Sequence, residues 1–113
     1  MQKIKPLRYS ARIGEKITIA VTPIGVGVFV AAALDGAVLT AEPDSPNAPR
    51  FEFDISGPAG TSHFVEMEFS FPQAGAGARY DVKVSGSNGG SDSFTVSKDD
   101  AVKDKGLRFK ATA

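Results

Sequence analysis

The residue best suited to acid–base or nucleophilic chemistry is His63, the only histidine among the 113 residues of the chain. A histidine can serve as the base for a hydroxyl nucleophile, and Thr61 and Ser62 directly precede it. Adjacent residues of a strand point to opposite faces, however, and the sequence has no Gly-x-Ser-x-Gly turn to present a serine. We therefore predict that His63 is a surface histidine at a strand end and that no residue is catalytic.

The residue composition gives little support for a metal site or a cofactor site. The chain has no cysteine, so it has no thiolate nucleophile, no disulfide framework and no cysteine-ligated zinc site. A zinc ion would depend on one histidine and several carboxylates, which is a poor zinc site. The segment Gly25-Val26-Gly27 lacks the third glycine and the following helix of a dinucleotide-binding motif. We predict a protein that is not an enzyme and that carries no metal and no cofactor.

Four carboxylates are the other group that could act together. Glu52 and Asp54 share one face of a predicted strand, and Glu66 and Glu68 share one face of another, so they converge on one surface if the strands are antiparallel neighbours. Acid–base catalysis needs a cleft and shifted pKa values. Calcium needs six to eight oxygen ligands, usually supplied by loops. A catalytic pair and a calcium site stay open as alternatives, and a solvated acidic face is the favoured interpretation.

The formal net charge of zero conceals an uneven distribution, because residues 1–16 carry a net +4, residues 98–113 a net +2 and the body between them a net −6. Four basic side chains are expected to point outward from the first and last strands and to offset the acidic face: Arg8, Arg12, Arg108 and Lys110. A nucleic-acid or anionic-membrane patch is the rival interpretation, and it usually needs exposed aromatic side chains. Tyr9 and Phe109 are predicted to face the core. We therefore expect no nucleic-acid partner.

Alternation of apolar and polar residues dominates the sequence and predicts strands nearly throughout. The predicted strands cover residues 7–13, 16–22, 26–34, 37–41, 51–55, 64–71, 80–84, 94–96 and 107–111. Asp35-Gly36 and the glycine-rich segment 86–90 are typical hairpin turns. The whole chain, residues 1–113, is predicted to form one all-β domain, an immunoglobulin-like antiparallel β-sandwich of eight or nine strands. Residues 98–106 are a polar connection to a C-terminal edge strand.

Tyr80 opens a Tyr-x-Val-x-Val strand directly after a loop. This placement is typical of a tyrosine corner, in which a buried phenol hydrogen-bonds to the backbone across the sandwich; an ordinary core tyrosine is the alternative. Without a cysteine pair and without tryptophan, the chain is not an antibody-type domain.

Residues 69–75, 80–86 and 94–96 resemble the closing strands of bacterial pre-peptidase C-terminal domains, which are small sandwiches appended to secreted enzymes. The resemblance rests on a Pro-x-x-Gly segment before the Tyr80 strand and on a glycine-rich hairpin. It covers the last quarter to third of the chain. The family's middle strand alternates Asp with Leu, whereas residues 26–30 here read Val-Gly-Val-Phe-Val. The resemblance therefore implies the fold rather than an acidic or calcium site.

These features favour a protein-binding or accessory module that works through end loops or an exposed edge strand. The first and last strands are the candidate edges, which could also pair two copies into a homodimer. The candidate contact loop is polar: Ser87, Asn88, Gly89, Gly90, Ser91 and Asp92. The proline-rich segment 43–49 is expected to be a stiff crossover. The alternative is a carbohydrate-binding or substrate-targeting module of a secreted enzyme, although such sites usually use tryptophan and exposed tyrosine.

No segment predicts membrane insertion, because the longest apolar run, residues 26–34, is much shorter than the roughly 20 residues that span a bilayer. We expect a soluble protein. The first residues do not read as a signal peptide. The expected location is cytoplasmic if Met1 is the native start, and secreted or periplasmic if the chain is a processed fragment.

Overall fold

The alternating segments form strands, and the structure, a computed structural model, describes residues 6–43, 47–100 and 102–113. Nine strands are present in these ranges: β1 (Leu7–Arg12), β2 (Lys16–Ile24), β3 (Val30–Leu34), β4 (Ala37–Leu39), β5 (Arg50–Asp54), β6 (Ser62–Phe69), β7 (Arg79–Gly86), β8 (Ser91–Ser97) and β9 (Lys105–Thr112). No helix in the described ranges is long and apolar enough to cross a membrane.

The strands form two sheets that pack face to face. Sheet I has the strand order β1-β9-β6-β3-β4, and sheet II has the order β5-β2-β7-β8. The predicted all-β sandwich of eight or nine strands is confirmed. One of the seven strand pairs departs from the antiparallel prediction, because β1 and β9 run parallel.

Inward-facing side chains of both sheets meet in one apolar core. Phe53 of sheet II contacts Phe109 of sheet I edge to face, with ring centroids 5.4 Å apart. Fully burying a side chain of this size contributes about 1.5–3 kcal/mol, so the alternate apolar residues stabilise both sheets. The largest side chains with almost no exposed surface are Tyr80, Phe109, Ile19, Ile55, Met67, Leu107, Val21, Val65, Val82 and Val96.

The two hairpin predictions are confirmed. Asp35 and Gly36 connect β3 to β4 with φ angles of 49° and 85°, as a type I′ turn requires. Leu34 then pairs with Ala37. In the second hairpin the whole length of β8 pairs with β7, and Gly89 near the tip has a φ angle of 97°.

Tyr80 connects the two sheets through its phenol group. The side chain is fully buried in β7, and its hydroxyl lies 2.9 Å from the Gly27 carbonyl oxygen and 2.8 Å from that of Ser70. The same oxygen accepts a hydrogen bond from the Phe29 N–H at 3.1 Å. These backbone partners flank β3 and β6 of sheet I, so the predicted bonding of Tyr80 across the sandwich is confirmed.

The predicted strand over residues 26–34 is wrong in its first half, since β3 begins only at Val30. Val28 and Phe29 are 38% and 48% exposed, so this part is not a central strand covered on both faces. The physical reason is the Tyr80 hydroxyl, which engages the Gly27 carbonyl and the Phe29 N–H and so diverts backbone groups that a longer strand would pair.

The C-terminal strand is not an edge strand, which corrects the sequence prediction. β9 lies between β1, with Leu7 opposite Leu107, and β6, with His63 opposite Phe109. Its inward residues and Gly106 are almost fully buried, which suits an internal position. The edges of the two sheets are instead β1 and β4, and β5 and β8.

Candidate functional site

His63 is buried, which corrects the prediction of a surface histidine. It is the second residue of β6, it is 7% exposed, and its ring lies at one end of the sandwich. Its Nδ1 lies 3.2 Å from Asp35 Oδ2, and its Nε2 lies 2.9 Å from the Ser56 carbonyl oxygen. The predicted strand-end position is therefore correct, and the side chain turns inward because both ring nitrogens find oxygen partners there.

The group Ser56, His63 and Asp35 has the residue types of a hydrolase triad and its contact between aspartate and histidine, but its serine and histidine make only a long contact. Ser56 Oγ is 3.5 Å from Nε2, whereas the carbonyl oxygen of the same residue is 2.9 Å from it. A ring nitrogen that faces a carbonyl oxygen must carry the hydrogen, so Nε2 cannot take the serine proton. Thr61 and Ser62, the hydroxyls suggested by sequence, are not hydrogen-bonded to this ring. The arrangement ties the β3–β4 turn to the segment before β6.

We expect His63→Ala to lower the free energy of unfolding by about 2 kcal/mol, because it leaves the Ser56 carbonyl and Asp35 without their buried partner. Ser56→Ala is the matched control, since it removes only the more distant hydroxyl and should cost less than about 0.5 kcal/mol. Urea denaturation of both variants measures the difference. Equal stability of the two variants would contradict this structural role.

The four predicted acidic residues do not form one face. Glu52 and Asp54 lie on β5 of sheet II, whereas Glu66 and Glu68 lie on β6 of sheet I, and each pair points away from the core. They therefore occupy opposite faces of the sandwich. The prediction failed because it needed β5 and β6, which are neighbours in sequence, to be neighbours in one sheet. Within the described ranges, no three histidine or carboxylate side chains cluster closely enough to hold a metal ion.

The predicted neutralisation of this face by the basic residues of β1 and β9 is not observed. In the part of the chain that the structure describes, the side-chain ion pairs are Arg50 with Glu52, Arg79 with Asp81 and His63 with Asp35, each at 3.2 Å. None of them involves the four basic residues singled out by sequence, namely Arg8, Arg12, Arg108 and Lys110. All four are exposed on the outward face of sheet I.

The predicted contact loop, residues 87–92, is attached to β1, to the connection between β1 and β2, and to the first residue of β2. Ser87 Oγ accepts a hydrogen bond from the Lys16 N–H at 3.0 Å. The Asn88 side-chain amide donates to Glu15 Oε1 at 3.2 Å. Asp92 Oδ2 accepts a hydrogen bond of 2.8 Å from the Tyr9 hydroxyl. Three of the six residues thus have side chains engaged within the molecule, and the remaining three, Gly89, Gly90 and Ser91, are exposed.

The free edge of β4 is the apolar surface that sequence reasoning missed. Val38, in the middle of this strand, is 84% exposed. Beside it, the outward positions of β3 are Ala31 and Ala33, so the surface next to Val38 is apolar. A depression of about 620 Å³ runs along these residues and reaches Glu66 and Glu68.

The sequence contains no local signal for this edge. Ala-Val-Leu after a tight turn is equally compatible with an internal strand, and only the order of the strands shows that, among the described residues, β4 pairs with β3 alone. No protein family, curated protein or solved structure matches the chain in comparisons with each of these groups. The site is therefore interpreted from its own geometry and chemistry.

Proposed function

We propose that this protein is a non-catalytic binding module that accepts an extended segment of a partner protein as an added strand on the free edge of β4. The observation that carries this proposal is the 84% exposure of Val38 in an uncharged edge strand. Strand addition gains affinity from main-chain hydrogen bonds and specificity from side chains that contact the neighbouring surface.

The composition of the four edge strands favours β4 over the others. Proteins protect edge strands with charged side chains, because an unprotected edge pairs with other chains. β1 carries Arg8 and Arg12, β5 carries three charged residues and β8 carries Asp92. β4 reads Ala-Val-Leu and has no charge. It is the edge where an added strand meets the least electrostatic opposition.

The surface beside β4 indicates the chemistry of the partner. An added strand lies beside β4 and two strands from β3, so its outward side chains contact Val38 and can extend over the small Ala33 that is opposite Val38. Glu66 and Glu68 line the far side of the depression and are both exposed. Charge complementarity therefore favours a segment that combines apolar residues with a lysine or arginine. A second copy of this chain is a weaker candidate, since its own β4, which reads Ala-Val-Leu, offers no lysine or arginine to complement Glu66 and Glu68.

The proposal is tested by selecting random peptides against the immobilised full-length chain and measuring the affinity of a selected peptide by calorimetry. We expect the selected peptides to combine apolar and basic residues. Their affinity for Val38→Lys should be at least about tenfold weaker than for the unaltered chain, because the new cation disfavours strand pairing at this edge and repels the basic residue. Val102→Lys is the matched control, since Val102 is also exposed but lies outside the strands.

Two outcomes would overturn the proposal. One is equal peptide affinity of Val38→Lys and the unaltered chain. The other is concentration-dependent dimerisation in sedimentation experiments that Val38→Lys abolishes, which would assign the edge to a second copy.

The sequence also predicted the kind of sandwich, a family resemblance and an alternative ligand. We infer an immunoglobulin-like sandwich, supported by the bonding of Tyr80 across the sheets. The resemblance of residues 69–75, 80–86 and 94–96 to pre-peptidase C-terminal domains stays a prediction. Glycan binding has less support than strand addition, because Phe29 is the one aromatic side chain that is more than about one third exposed, and sugar platforms need several.

A further inference from the structure

The parallel pairing of β1 with β9 places positive charges side by side. Arg8 lies directly opposite Arg108, and Ser10 lies opposite Lys110 two residues further along. All three cations are exposed on the outward face of sheet I. Like charges at directly opposed positions destabilise a strand pair. The register that stacks Tyr9 on Phe109 on the inward side therefore also concentrates positive charge on the outward face, where the repulsion carries a cost in stability.

The three cations surround a depression of about 450 Å³. Ser10 and Ser62 also line it, and within the described ranges neither hydroxyl has a hydrogen-bond partner. No carboxylate lines the depression, and none of the described carboxylates lies within 4.0 Å of its three cations. The nearest acidic residue in the register is Glu66, which lies opposite Gly106, two residues from Arg108 along β9.

We propose that this depression binds one tetrahedral oxyanion, a phosphate or sulfate group. Each arginine can donate two parallel hydrogen bonds to such a group, the lysine adds a point charge, and the two serine hydroxyls can donate to its remaining oxygens. Anion binding also removes the repulsion between Arg8 and Arg108. This site lies on the β1 side of sheet I, away from the β4 edge, so it is independent of the proposed strand addition.

The dimensions favour one oxyanion group over a nucleic acid strand. The three cations span two residues of adjacent strands, about 7 Å, which is the scale of one phosphate rather than a backbone track. A single-stranded nucleic acid also needs aromatic side chains for base stacking. Tyr9 is the one aromatic residue that lines the depression, and its ring stacks on Phe109 with centroids 5.2 Å apart.

The test is a titration of the full-length chain with inorganic phosphate, and separately with sulfate, followed by backbone amide chemical shifts at constant ionic strength. We expect saturable shifts confined to residues 8–10, 60–62 and 108–110, with millimolar affinity. Arg108→Gln should weaken binding at least about fivefold, because it removes one of three cations. Glu66→Gln should strengthen binding, because it removes the nearest negative charge.

Arg79→Gln is the matched control, since Arg79 is an exposed arginine on sheet II that is paired with Asp81, and it should leave binding unchanged. Shifts that are absent, or that are equally large around Arg79 and Lys83, would overturn the proposal. A single-stranded oligonucleotide or a heparin oligosaccharide provides the third arm. Either polymer could bind much more tightly per anionic group than inorganic phosphate, and lose that binding in Arg108→Gln. That result would make the ligand a polyanion rather than a single oxyanion and would contradict the proposal.

Discussion

Tyr80→Phe lowers the free energy of unfolding by about 2–4 kcal/mol, which is the largest effect that we expect from removing a single atom of this protein. The change leaves the Phe29 N–H and the carbonyl oxygens of Gly27 and Ser70 without the hydroxyl that they contact. The hydroxyl belongs to a fully buried side chain, so its removal leaves these part-buried backbone groups without a protein partner and opens a small hole beside them.

Tyr9→Phe is the matched control for this prediction. Tyr9 also loses a hydroxyl, but its one partner is the exposed carboxylate of Asp92, so the expected cost is about 0.5–1 kcal/mol. Urea denaturation of both variants gives the two values. If Tyr80→Phe cost no more than Tyr9→Phe, the phenol would not be a main connection between the sheets.

Stability is expected to fall steeply above about pH 10, the pH at which tyrosines of an unfolded chain ionise. Burial raises the pKa of Tyr9, and the hydrogen bond and negative charge of Asp92 raise it further. Burial also raises the pKa of Tyr80, against a smaller lowering by the Phe29 N–H. The unfolded chain therefore loses these two protons first. The stabilisation is complete below the unfolded pKa and is lost as the pH rises towards the folded pKa values.

For each proton that only the folded state retains, the free energy of unfolding falls by about 1.4 kcal/mol per pH unit. The contribution of Tyr9 to this fall is smaller because its side chain is partly exposed. Urea denaturation at about pH 8, 10 and 11 measures the decline, with tyrosinate absorbance recorded in parallel. Tyr9→Phe should show a shallower decline than the unaltered chain. An unfolding free energy that stays constant between pH 8 and 11 would show that neither phenol is protected as described.

Local sequence patterns predicted the strands and their turns because those features depend on neighbouring residues. Alternation identifies which residues face the core, and Asp35-Gly36 can adopt the φ angles of its turn in any sandwich. The Tyr80 strand was likewise predicted, because Tyr80 directly follows a loop and opens a Tyr-x-Val-x-Val pattern. The largest departure among the strands was residues 26–29, where the backbone partner is a side chain 51 residues or more away in sequence.

The candidate site depended on strand order, which local patterns do not determine. The position of β9 inside sheet I, the separation of β5 from β6 and the free edge of β4 all follow from pairings between distant segments. For the same reason the sequence predicted basic residues near an acidic face, whereas the parallel register gathers Arg8 and Arg108 together. His63 was misplaced because its oxygen partners, Asp35 and Ser56, come from two separate loops.

Hydrogen–deuterium exchange with and without a selected apolar–basic peptide tests strand addition at β4 most directly. An added strand protects main-chain N–H groups of the edge that it joins. We predict slower exchange in residues 37–41 on peptide binding, with little change in β1, β5 and β8. Slower exchange at one of those three edges or in residues 87–92, with residues 37–41 unaffected, would contradict the proposed function.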